Sequence, residues 1–429
     1  MNWRDKYRDK LMSVEEAVKT VETGDKVMIQ QAHGEARTIL RALVERAPEL
    51  RDVTIMSHLH WGPADYPAPD VAESFKGWSC FLSDSNRAEY HAGRIDFQPM
   101  FFYEMVDFYK EINTPDVFIM QAPPPDEHGM CSYGLNADYS VACVERAKKL
   151  IVQINPAIPF TYGSAFSLSK ATAIVDLEEP LMEVPCGDFG EVERKIGKYI
   201  AELIHDGDTL QLGIGSVPNA ILAALKDKKD LGIHTELFSD GVVDLYQAGV
   251  ITNAKKTHHA GKFVSNFLMG TKKLFDFVDH NPDVLLIPVD QTNDPYLISL
   301  NDNMVSINAC LQVDLLGQVV SDSINGRQYS GPGGQVDFVR GAKRSNGGKS
   351  ILVLKSTAKK GTISSIVPQL PQGAIVTVSR CDVQYICTEY GIVDLFGKTN
   401  RERAELLISV AHPDFREELA RQAKALGLL

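Results

Sequence analysis

Apolar residues along the chain switch between a helical and an extended spacing at short, regular intervals. Ser13-Val14-Glu15-Glu16 reads as a capping box ahead of apolar Ala17, Val18 and Val21, and Gly24-Asp25 then breaks into the strand-like run Lys26-Val27-Met28-Ile29. Asp116 to Met120 and Leu150 to Ile154 are again strand-like, with the helically spaced Ser140 to Lys149 between them. Helices alternating with short apolar strands predict an α/β protein in which crossovers join the strands of a mostly parallel sheet.

The same opening returns in the second half. Glu191 to His205 has helical spacing through Val192, Ile196, Tyr199, Ile200 and Leu203, and Asp206-Gly207-Asp208 leads into the strand Thr209 to Leu212. Gly24-Asp25, Ile39 to Leu43 and Val53 to Ser57 match Gly207-Asp208, Ile221 to Leu225 and Ile233 to Ser239 in order and spacing. This predicts two related α/β domains in tandem, 1–185 and 186–429, joined near Pro180 to Asp188; chance likeness between two α/β units is the alternative.

One difference between the copies carries chemistry. Gly232 to Phe238 reads as a strand, with Ser239-Asp240-Gly241 as a turn and N-cap before the helical run Val242, Val243, Leu245 and Tyr246. Glu236 then falls near the carboxyl end of a strand, where α/β proteins gather ligands, whereas the first copy has Thr54, Ile55 or Met56 there. A solvated strand-end residue is the plain alternative, and Glu389 in Thr388-Glu389-Tyr390-Gly391 is the rival carboxylate.

Two glycine loops extend this picture. Gly213-Ile214-Gly215-Ser216-Val217-Pro218 follows a strand and opens a helix, which suits either an anion on backbone N–H groups or a tight turn with no ligand. Pro218 replaces the third glycine of a dinucleotide fingerprint, so a nicotinamide site is not expected. Gly331-Pro332-Gly333-Gly334 offers amides to a developing oxyanion, and Lys355 to Gly361 is a short basic loop.

Composition narrows the classes. A chain of 429 residues exceeds one typical core, and a formal net charge of −12 argues against a nucleic-acid surface. Seven scattered cysteines fit a reducing compartment and have no metal-ligand spacing. The adjacent His258-His259 would point to opposite faces of a regular strand, so no metal is assigned. The polar start Met1 to Lys6, and the lack of a bilayer-length apolar run, suggest a cytoplasmic protein that does not enter membranes.

With these motifs in view, the chain resembles the acetyl-CoA hydrolase/transferase branch of the glutamate-dependent (family I) CoA-transferases over effectively its full length. The resemblance is carried by Gln211 to Ala220, His234 to Leu245, Ser306 to Asp314, Gly331 to Ala342, Ser356 to Pro368, Thr388 to Gly391 and Ala411 to Arg416. It implies that fold, Glu236 as nucleophile, and a CoA loop made of Gly213, Ile214, Gly215, Ser216 and Val217. It also implies Asn308 near the pantetheine arm, Lys359 near the phosphates, and the Val217 and Gly334 amides as oxyanion donors, with Gly334 also at the CoA site.

By the same resemblance a CoA thioester is the substrate and no tightly bound cofactor is expected. CoA would pass between acetyl-CoA and a short-chain carboxylate through a glutamyl-CoA thioester. The acid implied is 4-hydroxybutyrate, with butyrate or propionate next and hydrolysis as the other outcome. Domain 186–429 would hold the chemistry, 1–185 the acyl pocket, and the protein would be a homodimer or a dimer of dimers. Pro332, and Gly163-Ser164-Ala165-Phe166-Ser167-Leu168 in place of the family's G-D-x-x-[IV]-H, depart from the pattern and bear on the acid.

Overall fold

A computed structural model of the chain describes residues 2–62 and 65–429; Met1, Pro63 and Ala64 lie outside it. Its packing divides into one unit of Met1–Val184 with Ser265–Gln291, and a second of Pro185–Val264 with Thr292–Leu429. Residues 265–291 therefore fall in the first unit although they follow the start of the second in sequence.

The first unit is built on seven strands, Lys26–Ile29 (β1), Val53–Ser57 (β2), Phe75–Ser79 (β3), Ile95–Phe97 (β4), Val117–Ala122 (β5), Lys149–Ile154 (β6) and Ala173–Asp176 (β7). Among the described residues they form one sheet in the order β7-β6-β5-β1-β2-β3-β4, and every pairing is parallel. The capping box at Ser13 starts helix Val14–Val18 (α1) as expected. Helix Arg37–Glu45 (α2) crosses from β1 to β2 and buries Ile39, Leu40 and Leu43 against Val27, Ile29, Val53 and Ile55. Helix Ser140–Arg146 (α3) stops short of the expected Lys149, because Ala147 turns extended and Lys149 already begins β6.

The second unit carries Thr209–Leu212 (β8), Gly232–Ile233 (β9), Met304–Ala309 (β10), Lys349–Val353 (β11), Tyr385–Thr388 (β12) and Gly391–Asp394 (β13), in the order β9-β8-β10-β11-β12-β13. All pairings are parallel except the β12–β13 hairpin. The run β12-β11-β10-β8-β9 has the topology of β7-β6-β5-β1-β2, so the repeated opening in sequence is repeated in strand order. Helix Ser216–Ala223 (α5) makes the β8-to-β9 crossover that α2 makes in the first unit, and it packs on helix Glu191–Leu203 (α4).

The α4–α5 contact is close because Gly197 lacks a side chain. A Cβ there would meet the Ala220 carbonyl oxygen at 2.7 Å and its carbon at 2.9 Å, both backbone atoms of α5 that cannot rotate away. Gly197→Ala is expected to lower stability by about 1–3 kcal/mol in urea unfolding, because α5 must shift. An unchanged midpoint would show that the two helices separate at no cost.

Candidate active site

Glu236 lies in the second unit, but not at the end of a regular strand. The expected strand over 232–238 is broken: β9 ends at Ile233, Glu236 is in a bend, and a two-residue strand Leu237–Phe238 follows. The break has a local cause. The Thr235 hydroxyl reaches its own segment at Leu237 O (2.9 Å) and the end of β8 at Leu212 O (3.1 Å). The backbone turns to Val264 through Thr235 N–H, at 3.0 Å. The turn expected at Asp240-Gly241 is instead the start of helix Asp240–Gln247 (α6), where Ser239 occupies the N-cap position without a side-chain cap bond.

The bend leaves Glu236 half-buried beside two groups. Asn293 donates through Nδ2 to Glu236 Oε2 at 2.9 Å and to Asp337 Oδ2 at 3.3 Å. Gly334, the N-cap of helix Gln335–Arg344 (α7), has no side chain to interfere: a Cβ there would collide with Glu236 Oε2 and Asn293 Nδ2.

The remaining expected residues other than Lys359 are linked to the Gly334 turn through β8 and β10. Asn308, near the end of β10, forms a reciprocal amide pair with Gln211 of β8 at 3.0 and 3.1 Å. Gln335 donates to Ala309 O at 2.7 Å and so ties the Gly334 turn to the residue after Asn308. The loop Gly213, Ile214, Gly215 follows directly on Leu212, with Gly215 at φ 111°, and Ser216 and Val217 form the first turn of α5. Val217 N–H is therefore among the donors that a helix start leaves without an intrahelical partner.

Lys359 stands apart, exposed at φ 47° in the turn between Thr357–Ala358 and Ile363–Ser364. Lys355, in the same basic stretch, pairs with Glu193 at 2.5 Å, and Glu193 in turn meets the Ser216 hydroxyl at 3.4 Å. The rival carboxylate Glu389 is committed to structure: it accepts from Ser356 N (2.9 Å) and Oγ (2.6 Å).

Asn293, Asp337, His234 and Lys256 are site residues that the sequence reading missed. The available signal was Asp294-Pro295, a helix start whose Asp294 side chain caps Tyr296 N–H and fixes the chain leaving Asn293. His234 is fully buried; its Nε2 lies 2.8 Å from Thr292 O, and its Nδ1 lies 3.2 Å from Asn301 Nδ2. A carbonyl only accepts, so Nε2 carries the proton and Nδ1 takes the Asn301 hydrogen. Burial, with the nearby Lys256 ammonium, pushes the imidazole down to about 3, so it is neutral.

Lys256 is 4% exposed and donates to Ile233 O (2.7 Å) and Lys262 O (2.6 Å), stapling the end of β9 to the 253–262 loop. Burial pushes its ammonium down to about 7. The neighbouring His258 and His259 do not lie on a strand. They sit in a bend, His259 at φ 52°, with their rings in edge contact at 4.1 Å.

Residues 1–181 match the acetyl-CoA hydrolase/transferase N-terminal domain, and residues 270–423 match the C-terminal domain of the same family. The chain is 46% identical to the 4-hydroxybutyrate coenzyme A transferase of Clostridium kluyveri over 99% of both chains. The chain belongs to the acetyl-CoA hydrolase/transferase family. It is also 44% identical to the succinyl-CoA:cyclohexane-1-carboxylate CoA transferase of Geobacter metallireducens, over 99% of this chain and 98% of that one. The solved 4-hydroxybutyrate CoA-transferase of Porphyromonas gingivalis is similar in structure, with a TM-score of 0.85 and 38% identity, covering 99% of this chain and 100% of that one.

Both family segments leave 182–269 between them, which is where Glu236 and the Gly213 loop lie. Gly163 to Ser167, most of the segment where this acetyl-CoA hydrolase/transferase family member departs from the pattern, line an open pocket of about 550 Å³ in the first unit with Tyr133, Glu145 and Lys170. Among the described residues, no helix is long and apolar enough to cross a membrane, and no three metal-ligating side chains cluster.

Lys256 gives the site a pH signature. Its folded-state pKa of about 7 lies below the unfolded value of about 10.4, so between these pH values the unfolded chain binds the extra proton. Its contribution to stability therefore rises with pH across that window, by at most about 1.4 kcal/mol per pH unit. Urea midpoints compared between pH 7.5 and 9.5 should rise more steeply with pH in the wild type than in Lys256→Met. Equal slopes would place the Lys256 pKa outside the window.

Proposed function

We propose that the protein is a CoA-transferase that moves CoA between acetyl-CoA and a short-chain carboxylate, 4-hydroxybutyrate first, with Glu236 as the nucleophile. The observation that carries this reading is the placement of Glu236 Oε2 against Asn293 and the bare backbone of Gly334. Family membership and the named activities of the relatives support it.

In the proposed first half-reaction a Glu236 oxygen adds to the thioester carbonyl, the C–S bond breaks, and CoA leaves as the thiolate. The thiolate then attacks the glutamyl carbonyl of the resulting anhydride, and the first acid departs as carboxylate with the C–O electron pair. The acceptor carboxylate runs the same steps in reverse from glutamyl-CoA, so the kinetics are ping-pong. Charge balances at each step without a net proton.

The first step is the difficult one. Carboxylate and thiol pKa values of about 4.3 and 8.5 differ by about four units, or roughly 6 kcal/mol if leaving ability follows basicity. In this reading the Val217 and Gly334 amides receive the substrate oxyanion, and Asn293 Nδ2 receives the charge that develops on Oε2 when the glutamyl carbonyl is attacked. The Gly213 to Val217 loop and Asn308 take the CoA arm, and contacts remote from the reacting atoms supply binding energy that is spent in the transition state. Lys359 takes the phosphates. The 186–429 domain performs the chemistry, while the 1–185 domain shapes the acyl pocket. The enzyme acts in the cytoplasm as a homodimer or dimer of dimers, and its coenzyme is a substrate, not a resident group.

Incubation with acetyl-CoA and no acceptor, followed by borohydride and peptide mapping, should mark Glu236; a mark elsewhere, or none, sinks the mechanism. Glu236→Gln should lose roughly a thousandfold or more in kcat. Gly334→Ala, whose Cβ occupies the space of Oε2, should fold and lose about a hundredfold. A panel of acids from acetate to 4-hydroxybutyrate reads the acceptor, and steady CoA release without any acid would favour hydrolysis instead.

A further inference from the structure

His234 sits two residues before Glu236, and its partner Thr292 sits one residue before Asn293. The bond from His234 Nε2 to Thr292 O (2.8 Å) and the bond from Asn293 Nδ2 to Glu236 Oε2 (2.9 Å) are therefore two rungs between the same two chain segments. The imidazole also meets Phe338 edge-on, with ring centroids 6.3 Å apart. Phe338 is next to Asp337, the second acceptor of Asn293. Both neighbours of the Glu236 carboxylate are thus attached to segments that His234 touches.

β9 ends at Ile233, and beyond it the segment is joined by the His234 N–H to Leu210 O at 3.1 Å, by a bridge from His234 to Val264, and by these two rungs to 292–293. The Thr292 carbonyl fixes the tautomer, and Asn301 Nδ2 meets the other ring nitrogen at 3.2 Å as a second anchor for the ring. Asn301 is itself buried, and its backbone carbonyl accepts from Ser345 Oγ at 2.6 Å.

We propose that His234 is a positioning residue for the transfer reaction: it touches no substrate, and it sets the distance between Glu236 and Asn293 by fixing the lower of the two rungs. This rests on the reading of Glu236 as the nucleophile. A misplacement of about 1 Å at a reacting group costs on the order of a hundredfold, so the effect falls on the chemical step.

Two substitutions separate the halves of the imidazole. His234→Asn keeps an acceptor near the Nδ1 position for Asn301 but cannot reach Thr292; His234→Gln places an N–H near the Nε2 position and keeps the rung. The readouts are the rate of borohydride-trappable adduct at Glu236 in a single turnover, KM for acetyl-CoA, and the thermal midpoint. The expected result is adduct formation slowed ~10- to 100-fold in His234→Asn at nearly unchanged KM, with His234→Gln within a few-fold of wild type.

In an Asn293→Ala background the His234→Asn change should have little further effect, because its route to Glu236 is already cut. Equal rates in the Asn and Gln variants, or full additivity with Asn293→Ala, would overturn the proposal. Absence of a Glu236 adduct in the wild type would instead remove the transferase reading, so the two failures are distinguishable. If His234→Asn does not fold, Asn301→Leu tests the same point by removing the second anchor of the ring: unchanged adduct formation there overturns the proposal.

Discussion

The site depends on a strand that stops early. A backbone that leaves a sheet inside a protein must find partners for the N–H and C=O groups it takes with it. Here the last ladder residue of β9 and the two that follow it are each supplied separately. Ile233 O receives the Lys256 ammonium, His234 N–H reaches Leu210 O at 3.1 Å, and Thr235 uses both its amide and its hydroxyl. Because those groups are satisfied, the chain can bend at Glu236 and turn its carboxylate toward Asn293 and the Gly334 turn. On an unbroken strand the next side chain would have to take the opposite face.

The arrangement concentrates polar groups where a core would otherwise be apolar. His234, Asn301, Lys256 and Asp337 are each at most 4% exposed and lie in, or bond to, the segment of Glu236 or its partner Asn293. Burying such groups is unfavourable unless they are hydrogen-bonded, and His234, Lys256 and Asn293 are, while Asn301 Oδ1 has no partner among the described residues. In the proposed reaction, stiffness is what an unfavourable acyl transfer to Glu236 requires, since nothing in the residue type itself makes glutamate a strong nucleophile. The buried lysine shows the same economy: it has carbonyl partners and no carboxylate, so its proton is held weakly and its geometry firmly.

Much of this was legible in the residues. Period switching exposed the α/β alternation, and the paired Gly-Asp turns exposed the doubled topology, because both are local properties that burial then enforces. Glu236 stood out because its counterpart position in the first copy has no carboxylate. What could not be read was the break at Ile233 and the Asn293–Asp337 pair. Gly232 to Phe238 has the composition of a strand, and only long-range acceptors, Leu212 on one side and Val264 on the other, decide that it bends. Asn293 lies 57 positions from Glu236 in a turn whose composition is ordinary, so its role exists only in three dimensions. The pairing of Lys355 with Glu193, leaving Lys359 on an exposed turn, was equally invisible to a reading of charge runs.

The shared strand order has a consequence for how such a molecule can diverge. In the first copy β2 runs five residues without interruption, and Ile55 and Met56 are fully enclosed; in the second, β9 runs two. A glutamate written into β2 would be a desolvated charge on an intact pleat, with no bend to deliver it to a partner. The two halves are thus unequal in their freedom to change. The half that keeps its long strand is barred from hosting the carboxylate, and the half that hosts it must forever conserve a set of side chains doing the work that main-chain pairing does in its twin.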